Sequence, residues 1–349
     1  MKKNIIYICL IICLLLSGCG GYKGELYKDN NNNYKSSDVD DDGEIINKGN
    51  KEDISTNLEI NQLEETNSYE EPFELKAYFI DVGNADCTLF LLPEGQTMLI
   101  DAGNNADGED ICTYLNKLGI TKIDYLIGTH PHEDHIGGMD DIINNLEING
   151  IYLPKIPDDK IPSTKTYEEV LTSVDNKNIF IINPFYKQLI YDMNDITIEF
   201  LSDTNEINSD NMNDYSLVVK VKYKDISFIL QGDAEENIEE MLLSNNEADL
   251  INCTVLKIGH HGSSTSSSEK WLKTLSPQYA YIPCGKSNQY GHPHNEILKR
   301  LEKLNITYFR SDIDGTVVMS TNGKTINIDK NMTGNMPLGT PEWSETMIK

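Results

Sequence analysis

From about residue 75 the chain is written in short apolar runs broken by glycine, asparagine and aspartate. Leu75-Lys76-Ala77-Tyr78-Phe79-Ile80-Asp81-Val82-Gly83 predicts a strand that ends in a turn. Residues 87–92 predict a second strand, and 97–100 a third that runs into Asp101-Ala102-Gly103-Asn104. Residues 107–118 carry apolar side chains at helical spacing and predict an amphipathic helix. Residues 123–127 are apolar with a β-branched residue at each end, the mark of a buried strand, and 139–143 return to helical spacing. The stretch 149–200 reads as short strands around one helix near 167–174. Residues 225–230 and 256–258 predict two more strands, each ending in a polar loop. Strands that alternate with helices place the region in the α/β class.

The two ends follow other rules. Lys2-Lys3 precedes an apolar run, 5–16, too short to span a bilayer comfortably, and the run stops at Leu16-Ser17-Gly18-Cys19. That pattern resembles a bacterial lipobox. It implies a signal peptide over 1–18, lipidation of Cys19, and a domain working outside the cytoplasm on the membrane surface. Residues 19–74 hold a polyasparagine run (30–33) and acidic clusters with no apolar period, so they predict a disordered, extended tether. The domain is expected over 75–330, and 331–349 reads as a poorly ordered tail. The formal charge of −27 and only two arginines, Arg300 and Arg310, argue against a broad basic face for gripping nucleic acid. An acidic total still admits a phosphodiester substrate, because bound divalent cations reverse the local field.

The chemistry concentrates in histidine. All seven fall in three clusters, 130/132/135, 260/261 and 292/294, whereas structural histidines would scatter. The first lies on Gly128-Thr129-His130-Pro131-His132-Glu133-Asp134-His135-Ile136-Gly137-Gly138, between a predicted strand and a predicted helix. Residues two apart in an extended segment face one way, so His130 and His132 can share a cation, while Asp134 and His135 turn toward a second. Imidazole nitrogen with carboxylate oxygen suits zinc, with manganese or iron as other occupants. A helix cap would need one such residue and not four.

His130-x-His132-x-Asp134-His135 is similar to the signature of the metallo-β-lactamase fold, a superfamily of mostly dinuclear metallohydrolases. Other matches resemble the soluble hydrolase domain of ComEC-type DNA-uptake proteins and their free-standing secreted relatives. They are Gly83 and Asp86 of the entry turn, Gly232-Asp233-Ala234, His260-His261-Gly262-Ser263, Asn213-Asp214-Tyr215-Ser216-Leu217-Val218 read as a strand, and Asn288-Gln289-Tyr290-Gly291-His292-Pro293-His294. The resemblance covers roughly 75–328. Asn84, Ala85 and Gln231 depart from its pattern.

The resemblance implies a four-layer αββα sandwich holding two divalent ions, Zn or Mn. The ligand candidates are His130, His132, Asp134, His135, Asp233, His260 and His261, with Asp233 bridging and Asp86 orienting a ligand from behind. Adjacent side chains on an extended segment diverge, so one of His260 and His261 is expected to ligate and the other to face substrate. Asp134, His260, His261, His292 and His294 are the catalytic candidates, the last two for phosphate contact or leaving-group protonation. Ser216, Ser263 and Asn288 are candidates for substrate contact. Many superfamily members place another histidine before the bridging aspartate; here none lies between His135 and His260, so the first site would hold His130, His132 and Asp233, completed by water or another oxygen ligand.

The implied reaction is hydrolysis by a metal-activated water, with phosphodiesters the first substrate class and single-stranded DNA the specific case. The membrane is the one partner that the chain itself suggests, through Cys19. Two rivals stand beside this: a surface esterase for choline-phosphate or wall-polymer esters, and a metal-bearing binding module without catalysis. Cys87, Cys112, Cys253 and Cys284 show no metal-type spacing and read as buried free thiols.

Overall fold

A computed structural model describes residues 74–330 except residue 251, and the side chains of 246–249 are not described. The expected signal peptide, lipidated Cys19, tether and tail lie outside the described residues. Two mixed sheets form the body. The first runs, in spatial order, Ile326–Asp329, Val317–Thr321, Leu75–Phe79, Thr88–Leu91, Thr97–Ile100, Tyr125–Ile127, Ile151–Tyr152 and Ile181–Ile182. The second runs Thr307–Arg310, Tyr279–Ile282, Val255–Lys257, Ile226–Leu230, Val219–Tyr223, Ile196–Phe200 and Leu189–Met193.

Alternation along each strand decides which layer a side chain joins. Leu75, Ala77 and Phe79 join Phe90, Met98, Val219, Val221, Phe228 and Tyr281 in the core between the sheets. Tyr78, Leu89 and Leu99 point the other way, onto Ile111 and Leu115 of helix Gly108–Lys117, Ile142 of Met139–Asn145 and Val170 of Lys165–Lys177. The far face of the second sheet packs Ile229, Leu256 and Ala280 against Leu242, Trp271, Ile297 and Leu301 from three further helices, Glu236–Leu250, Glu269–Leu275 and Asn295–Lys303. Strands buried on both faces read as continuous apolar runs, as these do. The result is the four-layer αββα sandwich.

Most expected elements occur within two or three residues of their expected ends. The run 123–127 is split by Asp124, whose carboxylate accepts the backbone N–H of Thr97, giving Lys122–Ile123 and Tyr125–Ile127. The expected strand at 213–218 is a correction. Asn211 accepts the N–H of Asn213 and starts a 3-10 turn over Met212–Tyr215, so the strand begins only at Val219. All four cysteines of the domain are free and buried.

The chemistry gathers where strands stop. Thr97–Ile100 and Tyr125–Ile127 are parallel neighbours, as are Ile226–Leu230, Val255–Lys257 and Tyr279–Ile282. The loops after these five strands hold Asp101, the 128–135 loop, Asp233, the histidine pair and the 283–294 loop. Carboxyl ends of parallel strands are where open α/β sheets place ligands.

One buried acid sets a measurable cost. Asp81 follows the first strand, is 2% exposed, and accepts only the N–H of Gly83 on Oδ1, at 3.1 Å. Burial, against that hydrogen bond and the charge of Lys286, raises its carboxyl to about 7. Raised from about 4, the group is stabilising below pH 4 and loses that contribution as pH climbs to 7, on the order of 4 kcal/mol. Asp81→Asn should therefore be more stable than wild type at pH 8 and equal to it near pH 4, as measured by urea denaturation at both values.

Candidate metal centre

Asp233 sits at the focus. Gly232 before it has φ +52°, and a Cβ there would stand 2.9 Å from Thr129, so the turn demands glycine. Asp233 is 2% exposed. Its Oδ1 is 3.2 Å from His135 Nε2, and its Oδ2 is 3.6 Å from His261 Nε2 and 3.9 Å from His130 Nε2. His261 Nε2 also lies 3.2 Å from Asp134 Oδ2. His132 Nδ1 faces His130 Nε2 at 3.0 Å. The donor atoms of His130, His135 and Asp233 lie within 4.8 Å of one another, as do those of Asp134, His135 and His261. The two groupings share His135, whose ring centre is 4.1 Å from that of His130, so the expected division into separate pairs is less clean than the spacing implied.

Backbone bonds lock these loops together. Leu217 N–H donates to Thr129 O, Asp86 N–H to Asp134 O, and Ala102 N–H to His135 O. Behind the ligands stand carboxylates. Asp101 Oδ2 lies 2.8 Å from His135 Nδ1 and takes the Thr129 hydroxyl as well. His261 Nδ1 donates to Pro283 O at 3.1 Å, with Asp86 Oδ1 at 3.4 Å. Each ring nitrogen anchored in this way turns the other toward the centre. Asp86 Oδ1 stands beside His261 without a hydrogen bond to it, so the Pro283 carbonyl takes the orienting place expected of Asp86. Asp101 was visible in sequence as the head of the Asp101-Ala102-Gly103-Asn104 element, without a role for its carboxylate.

The electrostatics are those of carboxylates held charged. Burial opposes the charge on Asp233, but His135 and His261 outweigh it and keep the carboxyl far below its usual range. Asp134 behaves likewise: burial is overcome by His261, whose Nε2 stands 3.2 Å from Oδ2, and by the charge of His135. Burial, then the neighbouring His135, drives His130 well down, so its ring is neutral with a lone pair to give. Buried His135 Nε2, His261 Nε2 and Asp233 Oδ1 have no hydrogen-bond partner. Nitrogen and carboxylate donors converging without partners are what divalent cations require, so this residue set fits them.

The cleft above measures about 610 Å³ and is lined by His132, Asp134, Asp233, His260, His261 and His292, with Asn84, Asn104, Glu133 and 288–290 at its rim. His292 is held down at about 4 by burial and by the imidazoles of His261, His260 and His294, so it is neutral at pH 7. That argues against leaving-group protonation by His292. His294 is no better placed: its Nδ1 accepts the N–H of Ser264, and its Nε2 faces Tyr290 O at 3.3 Å. Both its nitrogens serve the loop.

The expected substrate contacts also turn inward. Ser216 Oγ is buried and accepts the N–H of Asp233. Ser263 pairs with Thr265, and the Asn288 amide braces Gly285 O and His292 O. In each case a turn needed the polar group first. Gln231, a departure from the resembled pattern, has its own partners: its amide donates to Glu239 and accepts from the Trp271 indole.

Lys257 had drawn no notice in the sequence. It is 3% exposed, ion-pairs with Asp86, donates to Gly232 O at 2.8 Å, and lies 3.9 Å from Asp233 Oδ1. It brings positive charge into a cluster otherwise rich in carboxylates. Lys257→Met would strand Asp86 in the interior, so the variant should lose about 3–5 kcal/mol in chemical denaturation.

A family model described as "Metallo-beta-lactamase superfamily" matches residues 80–286. ComE operon protein 3 of Bacillus subtilis (strain 168) is 29% identical over 255 residues, covering 68% of this chain and 32% of that protein. Competence protein ComA of Neisseria gonorrhoeae is 28% identical over 221 residues, covering 63% of this chain and 28% of that one. The chain thus spans less than a third of the length of either relative. Among solved structures, Tm1679, described as a metal-dependent hydrolase of the beta-lactamase superfamily, aligns with a TM-score of 0.46 at 13% identity, covering 68% of this chain and 95% of that one. With its fold, its histidine–aspartate centre and a family match over most of the domain, the chain belongs to the metallo-beta-lactamase superfamily.

Proposed function

We propose that this metal-dependent hydrolase cleaves phosphodiesters, single-stranded DNA among them, outside the cytoplasm and tethered to the membrane through Cys19. The observation that carries the reading is the convergence of His130, His135 and His261 on the buried carboxylate of Asp233, with Asp134 facing His261, at the floor of an open cleft. His130, His132, Asp134, His135, His261 and Asp233 would hold two divalent ions. Such ions supply a water acidic enough to attack at neutral pH and positive charge for the developing oxyanion.

The chain's own residues account for the rest. Asp101 and the Pro283 carbonyl keep His135 and His261 in one orientation, so the centre is organised before substrate arrives. No lysine or arginine is among the cleft-lining residues, so phosphate charge must be met at the centre itself. Neutral His292 offers a hydrogen bond beside it. Tyr290 is 60% exposed at the rim and stacks on His292 with centroids 5.6 Å apart, a flat face on which a nucleobase can rest. The similarity to competence proteins supports DNA. Among the described residues no helix is long and apolar enough to cross a membrane, so attachment rests on the lipobox-like segment.

A second reading has its own support. Glu133 and Tyr290 share the rim, and an aromatic face near a carboxylate suits a quaternary ammonium such as choline. The two readings separate in one assay. The full chain, stripped of metal and then given manganese or zinc, should cleave both bis(p-nitrophenyl) phosphate and single-stranded DNA. Cleavage of the small diester alone would favour the choline-phosphate ester, and silence on both with metal bound would mean a binding module. Asp233→Ala should lower turnover by more than roughly 100-fold, beyond what loss of an outer-shell partner costs.

A further inference from the structure

The gap in the first site has a candidate close at hand. We infer that His260 supplies the imidazole that the chain lacks between residues 135 and 260, and that Glu235 orients it. This rests on reading the cleft as a two-ion centre and names a ligand which that reading left open.

Adjacent side chains would diverge on an extended segment, but this segment is not extended. His260 (φ 47°, ψ 48°) and His261 (φ 52°, ψ 21°) are both left-handed, an uncommon conformation for residues other than glycine. The coil turns both rings to one carboxylate. His260 Nε2 lies 3.8 Å from Asp233 Oδ2, the oxygen that also faces His130 at 3.9 Å and His261 at 3.6 Å.

The opposite edge of the ring is committed. His260 Nδ1 is 3.2 Å from Glu235 Oε1 and 3.2 Å from Thr265 Oγ1, and that hydroxyl itself donates to Glu235 Oε1 at 2.7 Å. Glu235 is steadied in turn by the Asn211 amide on Oε2, at 2.9 Å. With the Thr265 proton spent on Glu235, the imidazole proton sits on Nδ1 and donates to the carboxylate. The Nε2 lone pair then points toward Asp233. Carboxylate to Nδ1–H with Nε2 aimed at the centre is the arrangement that prepares a histidine for a cation. Of the other donors at the cleft, Glu133 accepts the N–H of Asn105 and His294 is held by the backbone at both nitrogens. His292 keeps an unpartnered Nδ1, but among the described residues no carboxylate pairs with it as Asp233 does with His260.

The test counts metal rather than turnover. The full chain and its variants are stripped, reloaded with manganese(II), freed of excess ion, and measured by atomic emission, with affinities from calorimetry. Wild type should hold two ions. His260→Ala should hold one, with the second weakened more than roughly 100-fold, and Glu235→Ala should keep two with one weakened about 10–100-fold. Should the alanine variant not fold, His260→Gln, which retains a side chain able to pair with Glu235, is read in its place. Cobalt(II) absorption gives a second readout, since loss of a nitrogen ligand shifts the visible bands. Two ions at wild-type affinity in the His260 variant would overturn the assignment and leave the two-ion centre standing. Fewer than two in wild type would overturn both.

Discussion

A buried carboxylate that must stay charged governs this structure. Asp233 is almost wholly removed from water, and an isolated charge in that position would either unfold the turn or take up a proton. It does neither because His135, His261, His130 and Lys257 all stand within 4 Å of its oxygens. His130 and His135 arrive on the loop after a strand of the first sheet, Lys257 and His261 at the end of a strand of the second. The requirement to surround one carboxylate therefore fastens the two sheets to each other at their functional edge.

The sandwich makes that possible by separating tasks. The core between the sheets is apolar throughout, with Phe79 stacked on Tyr281 and Phe90 edge-on to Phe228. Polar demand is moved to the ends of the strands, where parallel neighbours leave a line of loops opening one way. There the polar groups are layered. Asp233 and the imidazoles face the cleft, Asp101 and Asp86 stand behind them, and Gln231 and Glu239 pin the turns further out. Glu239 also accepts the N–H groups of Ser267 and Ser268, so it clasps the loop after the histidine pair to the Asp233 turn.

The same layering constrains the substrate. A strongly acidic chain with no lysine or arginine among the described residues lining its cleft cannot draw a polyanion by the long-range field of its own side chains. Attraction has to be local, at the centre, and orientation has to come from shape, amide groups and the exposed face of Tyr290. On the proposed phosphodiester reading, this favours a single scissile phosphate and its immediate neighbours over a long basic track along a backbone. The tether expected before residue 75 would add effective concentration at a surface without adding a contact.

Sequence alone determined the class of fold, most element positions and which three loops carry the chemistry. Those properties are periodic or compositional: burial on two faces writes apolar runs, and ligand sets cluster by residue type. Asp134, Asp233 and the His260–His261 pair stood out as candidates for that reason, with the choice within the pair left open. Tertiary structure decided what each polar side chain faces. Ser216, Ser263 and Asn288 matched expected substrate contacts, yet their groups are spent on turns, since an unmet backbone or loop partner competes first. Lys257 and Glu235 carried no local signal, because a residue that acts by pairing across 25 positions is visible only once the chain has closed. The histidine pair shows the limit most clearly. Its residue types announced a metal, but two left-handed backbone angles, set by the turn around them, decide that both rings look the same way.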